Sequence, residues 1–284
     1  MAASTYQTFA LSPVRDSKHA VRLTVFNPPI NLLNGALLTD LHAYLEVLRT
    51  QPEEAPKVVV ISSNDPDFWI GHLDLHIVSV QYPLARPEEA GHFLHLLGGI
   101  LNLFLTLPTV FIAEVNGAAV GGGNEFAVNM DMRFAGPRAR FGVPEVGGGI
   151  VHGGGIQQLV KLIGPGRAMQ MMLSSQGVLG EEAKRLGLVN GFTEDEKHLR
   201  EFVDDLAVRI ASFPRGGLQG TKASIRACLD GSGSMGADMK KLGELAHTQE
   251  AQRAISAFIE KGEDQTKSTW ELRLPDSVVE IWES

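Results

Sequence analysis

Strand-like runs alternating with helical stretches over the first two thirds of the chain, followed by helical patterns alone, predict an α/β fold with an all-helical C-terminal region. Val21–Phe26 alternates and is rich in β-prone residues, and Asn27-Pro28-Pro29 stops it, as a strand running into a turn should read. From Gly35 to Arg49, Leu37, Leu38, Leu41, Leu45 and Leu48 recur at helical spacing. Pro52 and Pro56 break that pattern before Lys57–Ser62, a continuous apolar run of the kind found in a strand buried on both faces. Phe93, Leu97, Ile100, Leu101 and Phe104 mark one face of a second helix, and Val110–Val115 reads as the next strand. From Glu194 onward the patterns are helical only: Leu199, Phe202, Val203, Leu206 and Ile210, then Leu218 to Leu229, then Met239 to Glu260. Gly231–Gly236 is a flexible connector within this region. The organisation expected is a core at residues 1–193 that carries the site and a helical region at 194–284.

A chain of 284 residues with 44% hydrophobic content is long enough to bury a full core. Its formal net charge of -8 argues against a nucleic-acid partner, because that affinity rests on neutralising phosphates with Lys and Arg. The single cysteine, Cys228, excludes an internal disulfide and fits a reducing, cytoplasmic setting. Met1–Ala10 lacks the basic and apolar regions of a secretory signal, and Trp282-Glu283-Ser284 is not a peroxisomal address. The most apolar stretch, Gly98–Val115, is interrupted by Asn102, Thr106, Pro108 and Thr109, so no spanning helix and no membrane partner are expected.

Two segments stand out chemically: Asn116-Gly-Ala-Ala-Val-Gly-Gly-Gly-Asn-Glu125 and Phe141-Gly-Val-Pro-Glu145. Glycine lets backbone amides approach a ligand, and two carboxylates across a pocket can move protons or hold a water. Gly121-Gly122-Gly123 precedes an apolar segment that starts a helix, where free amides can bind an anion. No Gly-Lys-Ser/Thr follows, which disfavours a phosphate loop, and the spacing of a dinucleotide fingerprint is missing. Each glutamate taken alone reads as a surface residue, Glu125 complementing a helix dipole. His72 and His76 are spaced as metal ligands on a helix would be, but no third ligand is placed, so no metal is expected. His92 and His95 are expected to face solvent.

Taken in order, Asn27–Asn34, Phe68-Trp-Ile-Gly-His-Leu-Asp-Leu75, Val115–Glu125, Phe141–Glu145 and Gly187-Leu-Val-Asn190 resemble the crotonase superfamily, whose type member is enoyl-CoA hydratase. The resemblance covers most of the chain. It implies a crotonase-like spiral of ββα turns with a C-terminal helical trimerisation region, assembled as a homotrimer or hexamer. It also implies an acyl-CoA thioester substrate and no cofactor beyond the coenzyme A that the substrate carries. By position the oxyanion-hole amides would be those of Ile70 and Gly122, and the catalytic pair would be Glu125 and Glu145. Trp69, Gly71, His72, Gly121 and Lys261 would contact substrate, with Ile70, Trp69 and the segment 76–86 shaping its acyl end.

The activity implied is addition of water to a 2-enoyl-CoA, with isomerisation, another enolate-dependent lyase reaction, or a non-catalytic acyl-CoA-binding scaffold as alternatives. Two carboxylates around one water repel, so one of them is expected to hold a proton. The chain departs from the family pattern at several places, among them the segment Asn31–Asn34, which lacks a basic residue, and the glycine run after His152, which is one residue shorter. Ile70 stands for an alanine, His72-Leu73 fills the space of one residue, and His152 stands where a proline is usual. The tail 262–284 is not family-like.

Overall fold

The computed structural model describes residues 6–282, so the chain start and chain end on which the targeting expectations rest fall partly outside it. The chain divides into two compact units, residues 1–207 and 208–284. The elements run β1 (Phe9–Pro13), β2 (Ala20–Val25), α1 (Gly35–Thr50), β3 (Val58–Ser63), β4 (Phe68–Ile70), α2 (Ala90–Thr106), β5 (Val110–Val115), β6 (Ala118–Val120), α3 (Gly122–Asn129), β7 (Met132–Ala135), β8 (Arg140–Gly142), α4 (Ile156–Ser174), β9 (Val178–Leu179), α5 (Gly180–Leu186) and β10 (Gly191–Phe192). Helices α6 (Glu196–Ser212), α7 (Arg215–Asp230), α8 (Met235–Ala246) and α9 (Gln249–Lys261) follow.

The larger sheet has the order β1-β2-β3-β5-β7-β10 and the smaller β4-β6-β8-β9. Pairing is parallel except at two edges, β1 against β2 and β9 against β8. Three successive turns, β3-β4-α2, β5-β6-α3 and β7-β8-α4, each place one strand in either sheet and then a helix. This is the ββα repeat expected from the sequence.

The long strands and helices follow from their patterns. Val58–Ser62 of β3 are buried, as a continuous apolar run predicts for a strand inside a parallel sheet, and all six residues of β5 are buried too, Glu114 among them. In α1 the leucines at 37, 38, 41, 45 and 48 are buried, and the Asn34 side chain caps the helix by accepting from the Leu37 N–H. The smaller sheet has no such signature: its strands are two or three residues long, too short to show a period. The Met239–Glu260 pattern, read as a single helix, is two. Thr248 ends the first run and caps α9, its side chain accepting from the Ala251 N–H. Within the second unit Phe258 and Trp270 pack edge-on, ring centroids 4.9 Å apart.

One close approach fixes the geometry around the start of α3. Gly123 packs against the end of β4, its N–H donating to the Gly71 carbonyl at 3.0 Å. A Cβ on Gly123 would overlap the Ile70 carbonyl oxygen, which is backbone and cannot swing away. Trp69 locks the same strand from its other face: it is fully buried, and its indole N–H donates to the Ile61 carbonyl at 3.1 Å.

A buried ionic network ties α6 to the larger sheet. Glu114 on β5 accepts from Arg22 on β2 and from Arg200 on α6, both at 2.8 Å, and Arg22 also pairs with Asp204 at 2.7 Å. Glu114 and Arg22 are about as buried as the core itself.

Three outcomes are expected. Gly123→Ala should force β4 away from α3 and abolish ligand binding to this region, read by calorimetry, even where circular dichroism shows a retained fold. Glu114→Ala leaves the Arg22 guanidinium in the interior with only Asp204, and should cost about 3 kcal/mol in urea denaturation. Burial, with Tyr6 nearby, holds the Tyr44 phenol well above its usual value. The folded state therefore favours the protonated phenol, so this contribution to stability is full below the unfolded value of about 10 and is lost as pH rises beyond it. Tyr44→Phe should flatten that alkaline decline in the urea midpoint.

Candidate active site

The site is assembled from two turns of the repeat. Gly121, with a φ of 54° that favours glycine, ends β6 and opens α3, which places Glu125 in the first helical turn, where the helix dipole favours a negative charge. Pro144 leads from β8 into a single 3-10 turn, Glu145–Gly148, and so brings the second glutamate to the same place. The two carboxylates are not surface groups: their side chains are 8% and 12% exposed.

A histidine lies between them. His152 Nδ1 is 2.9 Å from Glu145 Oε1 and 3.6 Å from Glu125 Oε1. Its Nε2 is 3.2 Å from Asn124 Oδ1, and the ring is buried. Glu125 Oε1 also accepts from the Gly154 N–H at 2.7 Å. Asn129 Nδ2 donates to the carbonyls of Glu125 and Gly154, both at 2.8 Å, which fastens the loop before α4 onto α3. Glu145 Oε2 is buried without a partner among the described residues.

The donor atoms of Glu125, Glu145 and His152 all lie within 4.8 Å of one another, a spacing that a cation would fit. The His152–Glu145 contact and the Gly154 N–H on Glu125 occupy part of this set, while Glu145 Oε2 is left over.

Beside this cluster, Gly121 lies against Glu145: a Cβ there would come within 3.1 Å of Oε1. The Gly121 N–H donates to Gly142 and the Gly123 N–H to Gly71, whereas no acceptor among the described residues takes the Gly122 N–H. Ile70 ends β4 in register with Ala119 of β6, one residue before Gly71, whose own N–H is taken by the Ile30 and Asn31 carbonyls. The β4–α3 contact thus sets the Ile70 carbonyl against Gly123, the residue after Gly122.

The other expected residues fall into separate places. The Trp69 side chain is fully buried in the hydrophobic core, as is that of Ile70. His72 is half-buried, with its Nδ1 2.8 Å from the Leu73 carbonyl. His76 begins no long helix with it; it sits in the 3-10 turn Leu75–Ile77, and its Nδ1 meets the Tyr82 carbonyl at 2.7 Å. In the segment 76–86, Val78, Val80 and Tyr82 are exposed. His92 and His95 face solvent on α2. Lys261 is exposed at the end of α9, in the second unit.

Sequence reasoning did not place His152, Asn124, Gly154 or Asn129 in the site. The one signal for His152 was its position in place of a proline, beside three glycines.

Among the described residues no helix is long and apolar enough to cross a membrane. The family model described as enoyl-CoA hydratase/isomerase matches residues 16–269. A short-chain-enoyl-CoA hydratase of Clostridium acetobutylicum is 39% identical over 254 residues, covering 87% of this chain and 94% of that protein. A crotonyl-CoA hydratase of Syntrophomonas wolfei is 33% identical over 235 residues, covering 82% and 88%. The crystal structure of an enoyl-CoA hydratase from Bacillus anthracis superposes with a TM-score of 0.78 at 24% identity, covering 90% of this chain and 97% of that one, a likeness of fold. With the ββα spiral, these matches settle the assignment: the chain belongs to the enoyl-CoA hydratase/isomerase family.

Proposed function

We propose that this protein adds water across the double bond of a short-chain 2-enoyl-CoA thioester. The observation that carries the reading is the convergence of Glu125 and Glu145 on one point, the Nδ1 of His152, beside a helix start whose Gly122 N–H is uncommitted. The names of the relatives, crotonyl-CoA and short-chain-enoyl-CoA hydratases, support the substrate class.

The chemistry follows from charge. Attack at the β-carbon of a conjugated thioester sends negative charge to the carbonyl oxygen. The amides of Ile70 and Gly122 are the donors for that oxygen, and a pre-aimed donor of this kind is worth about 2.7–4 kcal/mol. Glu125 and Glu145 hold the water. One accepts its proton as oxygen bonds to the β-carbon, and a proton is delivered to the α-carbon, so that one water supplies both groups of the product.

The exposed face of the C-terminal helices, with Met235, Met239, Leu242, Ile255 and Ile259, suits assembly into a homotrimer or hexamer. Lys261 is the residue available there to meet a coenzyme A phosphate of a neighbouring subunit. The tail after it has no assigned role.

With crotonyl-CoA as substrate, loss of the conjugated thioester absorbance should be rapid for the native protein. Glu125→Gln and Glu145→Gln should each lower kcat by about 10²–10⁴-fold. A full rate in either variant removes that residue from the mechanism. Migration of a 3-enoyl double bond without hydration would move the reading to an isomerase, and absence of any CoA-thioester binding by calorimetry would leave a scaffold.

A further inference from the structure

His152 is buried and its ring is enclosed by acceptors. The charged groups that face it are Glu145, from the 3-10 turn, and Glu125, from α3; α3 also presents the Asn124 amide, and the loop 153–155 presents only backbone. The space for the ring exists because the loop carries glycine: a Cβ on Gly155 would overlap the imidazole. A proline at position 152 would have no donor to offer Glu145.

With Glu145 as a carboxylate, which only accepts hydrogen bonds, Nδ1 would bear the hydrogen shared with Oε1. Nε2 faces the carbonyl oxygen of Asn124, which likewise only accepts. In that arrangement both nitrogens would donate, which is the hydrogen-bonding pattern of an imidazolium. Rotating the Asn124 amide would turn its unpartnered Nδ2 toward the ring and make the ring neutral, so the two orientations correspond to two protonation states. The geometry that favours the cation is the ring's place between two buried carboxylates, 2.9 Å from Glu145 Oε1 and 3.6 Å from Glu125 Oε1.

Resting on the hydratase reading above, we propose that His152 is a positioning residue that carries the proton the two glutamates would otherwise have to share. As an imidazolium between them it offsets their repulsion and fixes Glu145 by its Nδ1–H. It leaves both carboxylates free to act as acceptors toward the water. The cluster then holds two negative charges and one positive, and the proton needed at the α-carbon comes from the added water through Glu145. His152 acts through Glu145 and does not touch the reacting carbons.

The test uses the intact protein and two independent readouts. Nitrogen-15 NMR of histidine-labelled protein, with the His152 signals assigned by their absence from His152→Asn, reports ring protonation without any substrate. Both ring nitrogens protonated at neutral pH is the expected result; a bare ring nitrogen overturns the proposal. In the crotonyl-CoA assay, His152→Asn keeps an amide donor for Glu145 but cannot carry a charge. It should lower kcat by at least about tenfold, less than loss of a general acid–base group itself, with little change in KM. The same change added to Glu145→Gln should cost nothing further, because the effect passes through that carboxylate. Native kcat in His152→Asn, or a full additional loss in the double variant, would sink the idea. If the native protein fails to hydrate crotonyl-CoA, the hydratase reading fails, and the NMR result still decides the state of His152.

Discussion

The close approach of two backbones, the end of β4 and the start of α3, is the constraint from which the site follows. No side chain can stand between Gly123 and the Ile70 carbonyl, and the Gly123 N–H bonds to Gly71 across the gap. That contact sets where α3 begins, hence where the Gly122 N–H points and where Glu125 sits one turn later. The core supports it from the other side, since Trp69 is held by its indole hydrogen bond and cannot let β4 drift. A local requirement for glycine is in this way converted into the position of a carboxylate.

The second glutamate arrives by a different route, and electrostatics decides whether the two can coexist. Glu145 comes from the turn after β8, on the next repeat of the spiral, and both carboxylates are withdrawn from solvent. Burial of unpaired charge is costly, so such a pair needs compensation from within the fold. Compensation comes from the segment that closes the site. Gly154 supplies a backbone N–H to Glu125, His152 supplies a ring nitrogen to Glu145, and Asn129 pins the segment to α3.

Much of this was legible in the sequence. Long elements announce themselves: the leucines of α1 and the apolar run of β3 are each long enough to show a period or its absence, and both fold as read. The glycine-glutamate segments were legible for a different reason, because close backbone approach tolerates little besides glycine and so leaves a mark in one dimension. The short strands of the smaller sheet left no such mark, since two or three residues carry no periodicity, and α8 and α9 merged because only a threonine cap separates them.

By itself the chain determined the α/β class, the helical C-terminal region and the family, and it singled out two glutamates, because each rests on local pattern or on residue types at fixed spacing. Only the tertiary structure decided what lies between those glutamates. His152 is seven residues from Glu145 and 28 from Asn124, separations that say nothing of contact until β8, its turn and the start of α3 are packed together. Spacing along a chain encodes turns and faces; the electrostatic balance of a buried site depends on distances through space, and those are set by packing.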